Sequence, residues 1–552
     1  MTGTSRPASA ADSSTGPVIG LCIAVIVFSA LYASLVWNLT FYQDTWEFLV
    51  NRRGFSADSL LKPHNEHIVL IPVLLQQLQL WLFGMGSAAP EYVLQGMFLI
   101  LAAVALFLYV RRRCGGWLAL GSAVLLLFLG PAWETILWPF EICFVGSMLC
   151  GMAMLLALER EDSRGDASAC MFLVLSLGFN SLGVAFLVAA VVALVQDREG
   201  WLRRSYVVAV PALLFGAWYV GWGHAAGNEV TLRHALEAPR YVLESVGAAL
   251  EAVLGLSTSR PGEPAPFEWG RTLVVAGIAL LVVGQRPRPR FSARLWPVAA
   301  AAATYWVLAA LNHSAAREPT TSRYLYAGVA LLLLSCANLF EGGRGSGRGL
   351  VVSGVVVLAA VGANVVLLHD GAAYLKAQAV LTRADLGAMQ IARRTIDPHF
   401  VPAGDAAGTG ALVNVEAGKY FPAVDAHGSP AYTAEEISRS PSPGPRYADL
   451  VLSEALPITA VPVLGRCEAP TIDGAASEIA LTSERTRISL SAGPAVKLAL
   501  RRFAMGEFPV VLGDLEGGGT VEIVIPKDRA SRPWYLRAES RHRLKVCRAP
   551  LN

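Results

Sequence analysis

The stretch Pro17-Val-Ile-Gly-Leu-Cys-Ile-Ala-Val-Ile-Val-Phe-Ser-Ala-Leu-Tyr-Ala-Ser-Leu-Val-Trp-Asn-Leu39 carries no charge, and Thr40-Phe-Tyr-Gln-Asp44-Thr-Trp-Glu47 follows it directly. About 20 apolar residues cross a bilayer as a helix, so 17–39 reads as a membrane span and the residues after it as the start of a loop. The run is too long for a signal-peptide core and no small-x-small cleavage site follows it, so an uncleaved first span is expected. The rest of the chain agrees. Over 552 residues, only 16% are charged, 54% are hydrophobic and the mean hydropathy is +0.47. A soluble chain of this length carries more charge. A polytopic membrane protein is therefore the expected class. A net charge of +3 gives no reason to expect a nucleic-acid partner. Six lysines stand against 39 arginines, which with the many Ala and Gly residues suggests a GC-rich, actinobacterium-like genome.

Arginine clusters mark the cytoplasmic side of a membrane protein. They occur at 111–113, 198–204, 286–294, and at 344 and 348. An even number of spans must separate each pair. Spans at about 205–222 and 268–285, then 295–311 and 324–340, satisfy this. Between 113 and 198 lie spans at about 116–132 and 141–158, followed by an apolar run at 169–195. That run must count as even, so it reads as a hairpin of short helices turning near Asn180 and Ser181; its rival is one long tilted span. The run 68–83 contains Pro72, Gln76, Gln77 and Gln79 and reads as an interfacial helix. With a second span at 92–110, a last one at about 350–368 and the hairpin counted as two, the expected fold is about eleven spans, and 369–395 could continue the last as a helix leading out of the membrane. Residues 1–16 form a cytoplasmic tail, 17–368 the transmembrane domain with external loops 40–91 and 223–267, and 369–552 an extracytoplasmic domain. In the second loop, Leu243, Val246, Leu250 and Val253 share one helical face and Glu244 and Glu251 the other.

After Pro402 the pattern changes. Short alternating runs at 487–490, 495–500, 510–512, 520–525 and 534–537, separated by turn signals such as Glu516-Gly-Gly-Gly519, predict a β-rich domain. Six of the eight cysteines lie in or beside apolar runs; Cys467 and Cys547 do not, and outside the cytoplasm they could form a disulfide. No cysteine spacing resembles a zinc site, and the Gly-rich stretch 342–349 lacks a phosphate loop's Lys-Ser/Thr.

The chemistry-bearing residues concentrate in the expected external loops. The first holds Asp44, Glu47, Lys62, His64, Glu66 and His67. A carboxylate set at a bilayer surface needs a partner or a job. The next loop, Trp133-Glu134-Thr-Ile-Leu-Trp138-Pro-Phe-Glu141, combines carboxylates with tryptophan faces suited to a sugar. Arg323-Tyr324 opens a span on the same side and could meet a phosphate in a bidentate manner, as could Arg317. Asp44 with His64, Glu66 and His67 could hold a divalent cation, although the spacing matches no metal motif. Trp534 and Tyr535 could stack on carbohydrate or fill a sandwich core.

The order of these features resembles the GT-C superfamily of membrane glycosyltransferases, which includes protein O-mannosyltransferases, lipid A aminoarabinose transferases and mycobacterial arabinofuranosyltransferases. The shared layout is a first span, an acidic motif opening a long external loop (Asp44, Glu47), a Pro-containing segment (Lys62-Pro-His64), an interfacial helix ending in Phe83-Gly84, and a second span with a basic end (Arg111–Arg113). The layout covers roughly the first 340 residues. The paired acids usual in the motif read Asp44-Thr45 here, so a second carboxylate must come from Glu47 or elsewhere. The resemblance implies a polyprenyl-phosphate sugar donor, a glycan, lipid or protein acceptor, and Asp44 as general base in an inverting transfer. Glu47, His64, Glu66, His67, Glu134, Trp138, Arg323 and Tyr324 would contact substrate. The alternatives are a lipid-linked-sugar transporter, which should carry charges inside its spans, and a non-catalytic envelope assembly protein.

Overall fold

The computed structural model describes residues 15–552 apart from 198–199, 228–229, 259, 264–268, 285–291, 315–316, 343–346, 403–411, 413–414, 465–470, 473–477, 483, 491–492, 539–543 and 549–552. Most of the tail 1–16, Arg344, part of the 198–204 and 286–294 clusters, and Cys467 with its pairing to Cys547 lie outside the described residues. The chain divides into two compact units. The first comprises residues up to Trp37, Gly54–Leu78 and Ala89–Tyr374; the second comprises Asn38–Arg53, Gln79–Ala88 and Leu375–Asn552.

The first unit is helical. It contains α1 (Thr15–Val36), α2 (Ala57–Leu61), most of α3 (Leu70–Phe83), α4 (Ala89–Cys114), α5 (Gly116–Leu127), α6 (Trp133–Leu137), α7 (Ile142–Leu158), α8 (Ser163–Phe179), α9 (Gly183–Gln196), α10 (Trp201–Arg204), α11 (Tyr206–Gly221), α12 (Leu232–Leu254), α13 (Gly270–Gly284), α14 (Leu295–Leu311), α15 (Ser322–Leu339) and the first part of α16 (Gly347–Ala392). Among the described residues, five helices are long and apolar enough to cross a bilayer, and α5 with 130–137 makes a sixth, bent by 43°. The other expected spans correspond to shorter helices, α8, α9, α11, α13 and α14.

The run 169–195 folds back. Its helices break at Asn180, whose backbone is extended (φ −164°, ψ 151°). Arg204 reaches Asp166 at the start of α8 (2.8 Å) and Asp197 just after α9 (3.0 Å). One guanidinium can touch both only if the two helices return to the same end, so the single long span is excluded. The clusters used for the parity argument also converge. Arg113 and Arg112 pair with Glu159, Arg113 Nε donates to Asn338 Oδ1 (2.8 Å), and Arg294 pairs with Glu341 (2.9 Å). These residues terminate α4, α7 and α15 and begin α14.

One reading needs correction. In α12, the buried face carries the small residues Ala238, Ser245, Gly247, Ala248, Ala249 and Ala252, because only small side chains admit the neighbouring helices at close range, whereas Leu243 is exposed. Glu251, expected on a solvated face, is buried and its carboxylate accepts from the Trp269 backbone N–H (2.7 Å). The helix expected to lead on from the last span is present: α16 runs unbroken for 46 residues to Ala392, because 369–392 is rich in Ala and holds no Pro.

In the second unit, the end of α16 is followed by α17 (Ala417–His427), α18 (Ala434–Arg439) and α19 (Gly444–Ala455), and then by strands. The strands are β1 (Thr459–Pro462), β2 (Thr471–Ile472), β3 (Glu478–Leu481), β4 (Arg485–Leu490), β5 (Val496–Arg501), β6 (Val510–Leu515), β7 (Thr520–Val524), β8 (Trp534–Ala538) and β9 (Leu544–Arg548). They form two antiparallel sheets, β1-β7-β4-β9-β2 and β3-β8-β5-β6. Alternate residues are buried, as in Val496, Leu498 and Leu500 or Trp534 and Leu536. Trp534 is thus a core residue, not a stacking platform. The three helices at 417–455 had not been expected in a β-rich domain. Asp449 of α19 is buried and accepts from the backbone N–H groups of Arg502, Phe503 and Ala504 at 2.8 to 3.1 Å, fixing this helix to the loop after β5.

Candidate active site

In the second unit, Asp44 sits on a tight turn. Thr45 N–H donates to Tyr42 O, Trp46 N–H to Gln43 O (2.9 Å) and Glu47 N–H to Asp44 O (3.1 Å). Gln43 has φ +44°, a left-handed conformation that side chains other than glycine adopt at a cost. The turn is held by Trp46, which is fully buried against Phe41 and Tyr420 (ring centroids 5.6 and 6.4 Å). Asp44 itself is half-buried. A short π-helical turn, Glu47–Asn51, follows, and the Glu47 carboxylate accepts from Asn51 Nδ2 (2.6 Å).

In the first unit, His64 to His67 form a second turn. His64 and His67 exchange both backbone hydrogen bonds at 3.0 Å, and Asn65 takes φ +51°. Ser181, at the apex of the hairpin, anchors this turn: Ile68 N–H donates to its Oγ (3.3 Å). Glu66 then meets Arg317 in a bidentate pair, with Arg317 Nη2 to Glu66 Oε2 at 3.2 Å. Burial alone would raise the Glu66 carboxyl; the charge of His67 and the Arg317 guanidinium outweigh it and hold it below the ordinary range. Burial pushes the His67 imidazole down to about 4, opposed by Glu66 and reinforced by Arg317. His67 Nδ1 is buried with no hydrogen-bond partner among the described residues. Phe140 and Phe144 set the two imidazoles edge-to-face, at 5.1 and 6.0 Å.

Glu134 and Arg323 meet through the backbone. Glu134 Oε2 accepts from Arg323 N–H (3.2 Å), Ser322 Oγ accepts from Glu134 N–H (3.0 Å), and Thr135 Oγ1 donates to Arg323 O (3.3 Å). A carboxylate at the first turn of α15 suits the positive end of the helix. The Arg323 guanidinium lies over the Tyr324 ring at 5.7 Å, and Phe144 packs edge-to-face on that ring at 6.3 Å. Tyr241 Oη donates to Arg317 O (3.0 Å).

The fold therefore brings together His64, Glu66, His67 and Arg317 in one group and Glu134, Arg323 and Tyr324 in an adjoining one. Asp44 and Glu47 belong to the other unit. Trp138 does not serve as expected: it is 1% exposed and stacked on Phe140 (5.2 Å), because the turn 133–141 is folded into the helices rather than presented as a loop. Trp133 and Glu141 are buried with it. Among the described residues, no three His, Cys, Asp or Glu side chains are grouped so as to hold a metal ion. The sequence reading missed the anchoring of Ile68 by Ser181 and the pairing of Glu66 with Arg317, which join residues 113 and 251 positions apart; only their shared external assignment hinted at it.

No family model and no curated protein matches the chain. Among solved structures, an oligosaccharyltransferase from Archaeoglobus fulgidus, crystallised tethered to an acceptor peptide, is similar over 68% of this chain and 57% of that one, at 14% identity and a TM-score of 0.40.

Proposed function

We propose that this chain is a membrane glycosyltransferase that moves a sugar from a polyprenyl-phosphate donor to a hydroxyl of a glycan, lipid or protein acceptor. The observation that carries the reading is the Asp44 turn: a half-buried carboxylate directly after the first span, aimed by a left-handed Gln43 and a wholly buried Trp46. Backbone conformations of this kind cost energy and gather at functional sites, and the position matches the acidic motif of the GT-C layout. Asp44 takes the proton of the acceptor hydroxyl. The acceptor oxygen bonds to the anomeric carbon, the bond from that carbon to the phosphate oxygen breaks, and its electron pair leaves with the lipid phosphate, inverting the configuration. The resemblance also implies cationic side chains for the departing phosphate, for which Arg323 and Arg317 are the expected residues.

The test is transfer from radiolabelled polyprenyl-phosphate sugars in membranes containing wild type or Asp44→Asn. Loss of a general base costs about 100- to 10,000-fold, and the variant should fall by that much while expressing and inserting normally. Transfer at the wild-type rate by the Asn variant removes Asp44 from the role.

A further inference from the structure

Between α12, α13, the end of α14 and the turn before α15, the helical unit holds a cavity of about 410 Å³ that the proposed transfer does not use. Small-ligand sites span ~300–1,000 Å³ and are mostly apolar. This one is not. Of its eleven described lining residues six are charged, Arg233, Arg240 and Arg271 against Glu237, Glu244 and Glu318, so the described charges cancel. They also pair within the set. Arg233 meets Glu237 (2.8 Å), while Arg240 and Arg271 both meet Glu244 (3.0 and 2.6 Å). Arg271 belongs to α13 and Glu244 to α12, and the Glu244 side chain is only 17% exposed, so this carboxylate is clamped between its own helix and the next. Beside the charges stand Tyr241 and His313, edge-to-face at 5.4 Å, with Ala310 and Pro319. Among the described lining residues there is no Leu, Ile, Val, Phe or Met. Tyr241 Oη donates to the backbone of Arg317, whose guanidinium pairs with Glu66, so the cavity adjoins the histidine turn.

We propose that this cavity binds the sugar units of a neutral glycan, the acceptor of the transfer; naming the glycan an acceptor rests on the transferase reading, and its binding does not. A balanced lining gives no preference to an anion or a cation. It also leaves nothing for an acyl chain to pack against. What it offers is donors and acceptors side by side. A guanidinium only donates and a carboxylate only accepts, whereas a hydroxyl does both. Adjacent hydroxyls of a sugar ring can therefore accept from an arginine and donate to the glutamate paired with it. Tyr241, His313 and Pro319 supply apolar surface for the C–H groups of the ring. The donor's sugar carries a phosphate, whose charge this lining would leave unmatched, and that favours the sugar of the acceptor.

The experiment applies full-length protein in detergent to an array of mannose, glucose, galactose and arabinofuranose oligomers beside uronic acid and amino-sugar oligomers of equal length. At least one neutral series should be retained at least tenfold more tightly than every charged one. Thr320→Trp, which fills the cavity without altering charge, should weaken that retention at least tenfold. Glu244→Gln leaves one positive charge in excess and should narrow the gap to the uronic acids. Arg271→Gln leaves one negative charge and should narrow the gap to the amino sugars. Residues serving structure alone would weaken all glycans equally. Retention of no neutral glycan, equal retention of the charged ones, or neutral binding unimpaired by both Thr320→Trp and Glu244→Gln would each overturn the proposal. So would a short-chain prenyl-phosphate mannose that displaces the bound glycan more readily than methyl mannoside does, since the cavity would then take the donor's sugar. Unchanged melting temperatures identify the variants as folded. Asp44→Asn should retain glycans as wild type does. Glycan retention without transfer from any donor removes the transferase reading and leaves the sugar site; Asp44-dependent transfer without glycan retention removes the sugar site alone.

Discussion

At the turn His64–His67, two opposite charges and an imidazole share a space that none of them would choose alone. Arg317 and Glu66 are each about one-fifth exposed, so their pairing keeps more of its energy than a surface pair would. Glu66→Gln should therefore destabilise the protein by about 1–3 kcal/mol, read as a lower melting temperature in detergent, because it leaves the guanidinium largely buried without its counter-charge. The same group sets an acid limb. The His67 imidazole titrates near 6.5 when unfolded and about 4 when folded, so the unfolded chain binds the extra proton first and stability falls as pH drops from about 6.5 to 4. Glu66, whose folded value is depressed, loses its contribution in the same direction, as pH falls through that value. Replacing His67 with Phe should flatten the upper part of this limb. A melting temperature of the wild type that does not fall between pH 6.5 and 5 would show that the imidazole is not held neutral. None of this coupling could be read from the sequence, because Glu66 and Arg317 are separated by 251 positions and only the fold makes them neighbours. The residues themselves were legible, since polar side chains this dense in an apolar chain stand out.

At the scale of elements, α7 shows what holds the hairpin in place. A Cβ at Gly146 would lie 2.4 Å from the Phe179 ring, and one at Gly151 would lie 2.2 Å from Phe186. The two glycines, five residues apart on α7, admit the last ring of α8 and an early ring of α9. Small residues are what let membrane helices approach closely. Gly151→Val forces Phe186 out of its slot and should cost about 1–3 kcal/mol, the usual range for overpacking. Gly216 in α11 has nothing within 4 Å of its added Cβ, so Gly216→Ala should be neutral or stabilising by about 0.5–1 kcal/mol. Comparing the two melting temperatures separates packing from helix propensity; equal effects would mean that the α7–α9 contact is not what the glycine serves. Charge parity alone had required an even count between 113 and 198, and hence the hairpin. The sequence could not say which faces meet, because Gly and Phe in an apolar run look alike whether they face lipid or protein. The same limit explains Trp138: an aromatic beside carboxylates reads as a sugar platform until the fold buries it. In the second unit, the runs at 487–490, 495–500, 510–512, 520–525 and 534–537 coincide with strands, Ala495 and Ile525 lying one residue beyond them, because a half-buried strand alternates with period two. The helices at 417–455 escaped notice because Pro422, Pro443 and Pro445 and the surrounding glycines read as loop.

For the whole molecule, the strongest constraint is that the ends of the helical bundle differ in chemistry. Arg113, Arg204 and Arg294 gather at one end of the first unit, while α15 runs from Arg323 beside Glu134 to Asn338 beside Arg113. The histidine turn and Glu134 therefore stand a full helix away from the arginine cluster. Positive charge resists translocation, so the arginine end should face the cytoplasm and the His64–Arg323 end the exterior. That orientation decides where the proposed transfer could occur, since the proposed donor would have to present its phosphate on the side where the candidate groups lie. Two single cysteines placed on exposed positions test it in a background cleared of the native thiols. Glu318→Cys, next to Arg317, should react with a membrane-impermeant maleimide in intact cells; Arg203→Cys, exposed beside Arg204 at the arginine end, should react only after permeabilisation. Both positions belong to the same compact unit, so their opposite labelling would report orientation and not separate domains. The reverse pattern would invert the protein, place Glu134 and Arg323 on the cytoplasmic side and remove the external-face reaction. Labelling of both from outside would mean that the helices between them do not span the bilayer, and the bundle would have to be read as a peripheral assembly.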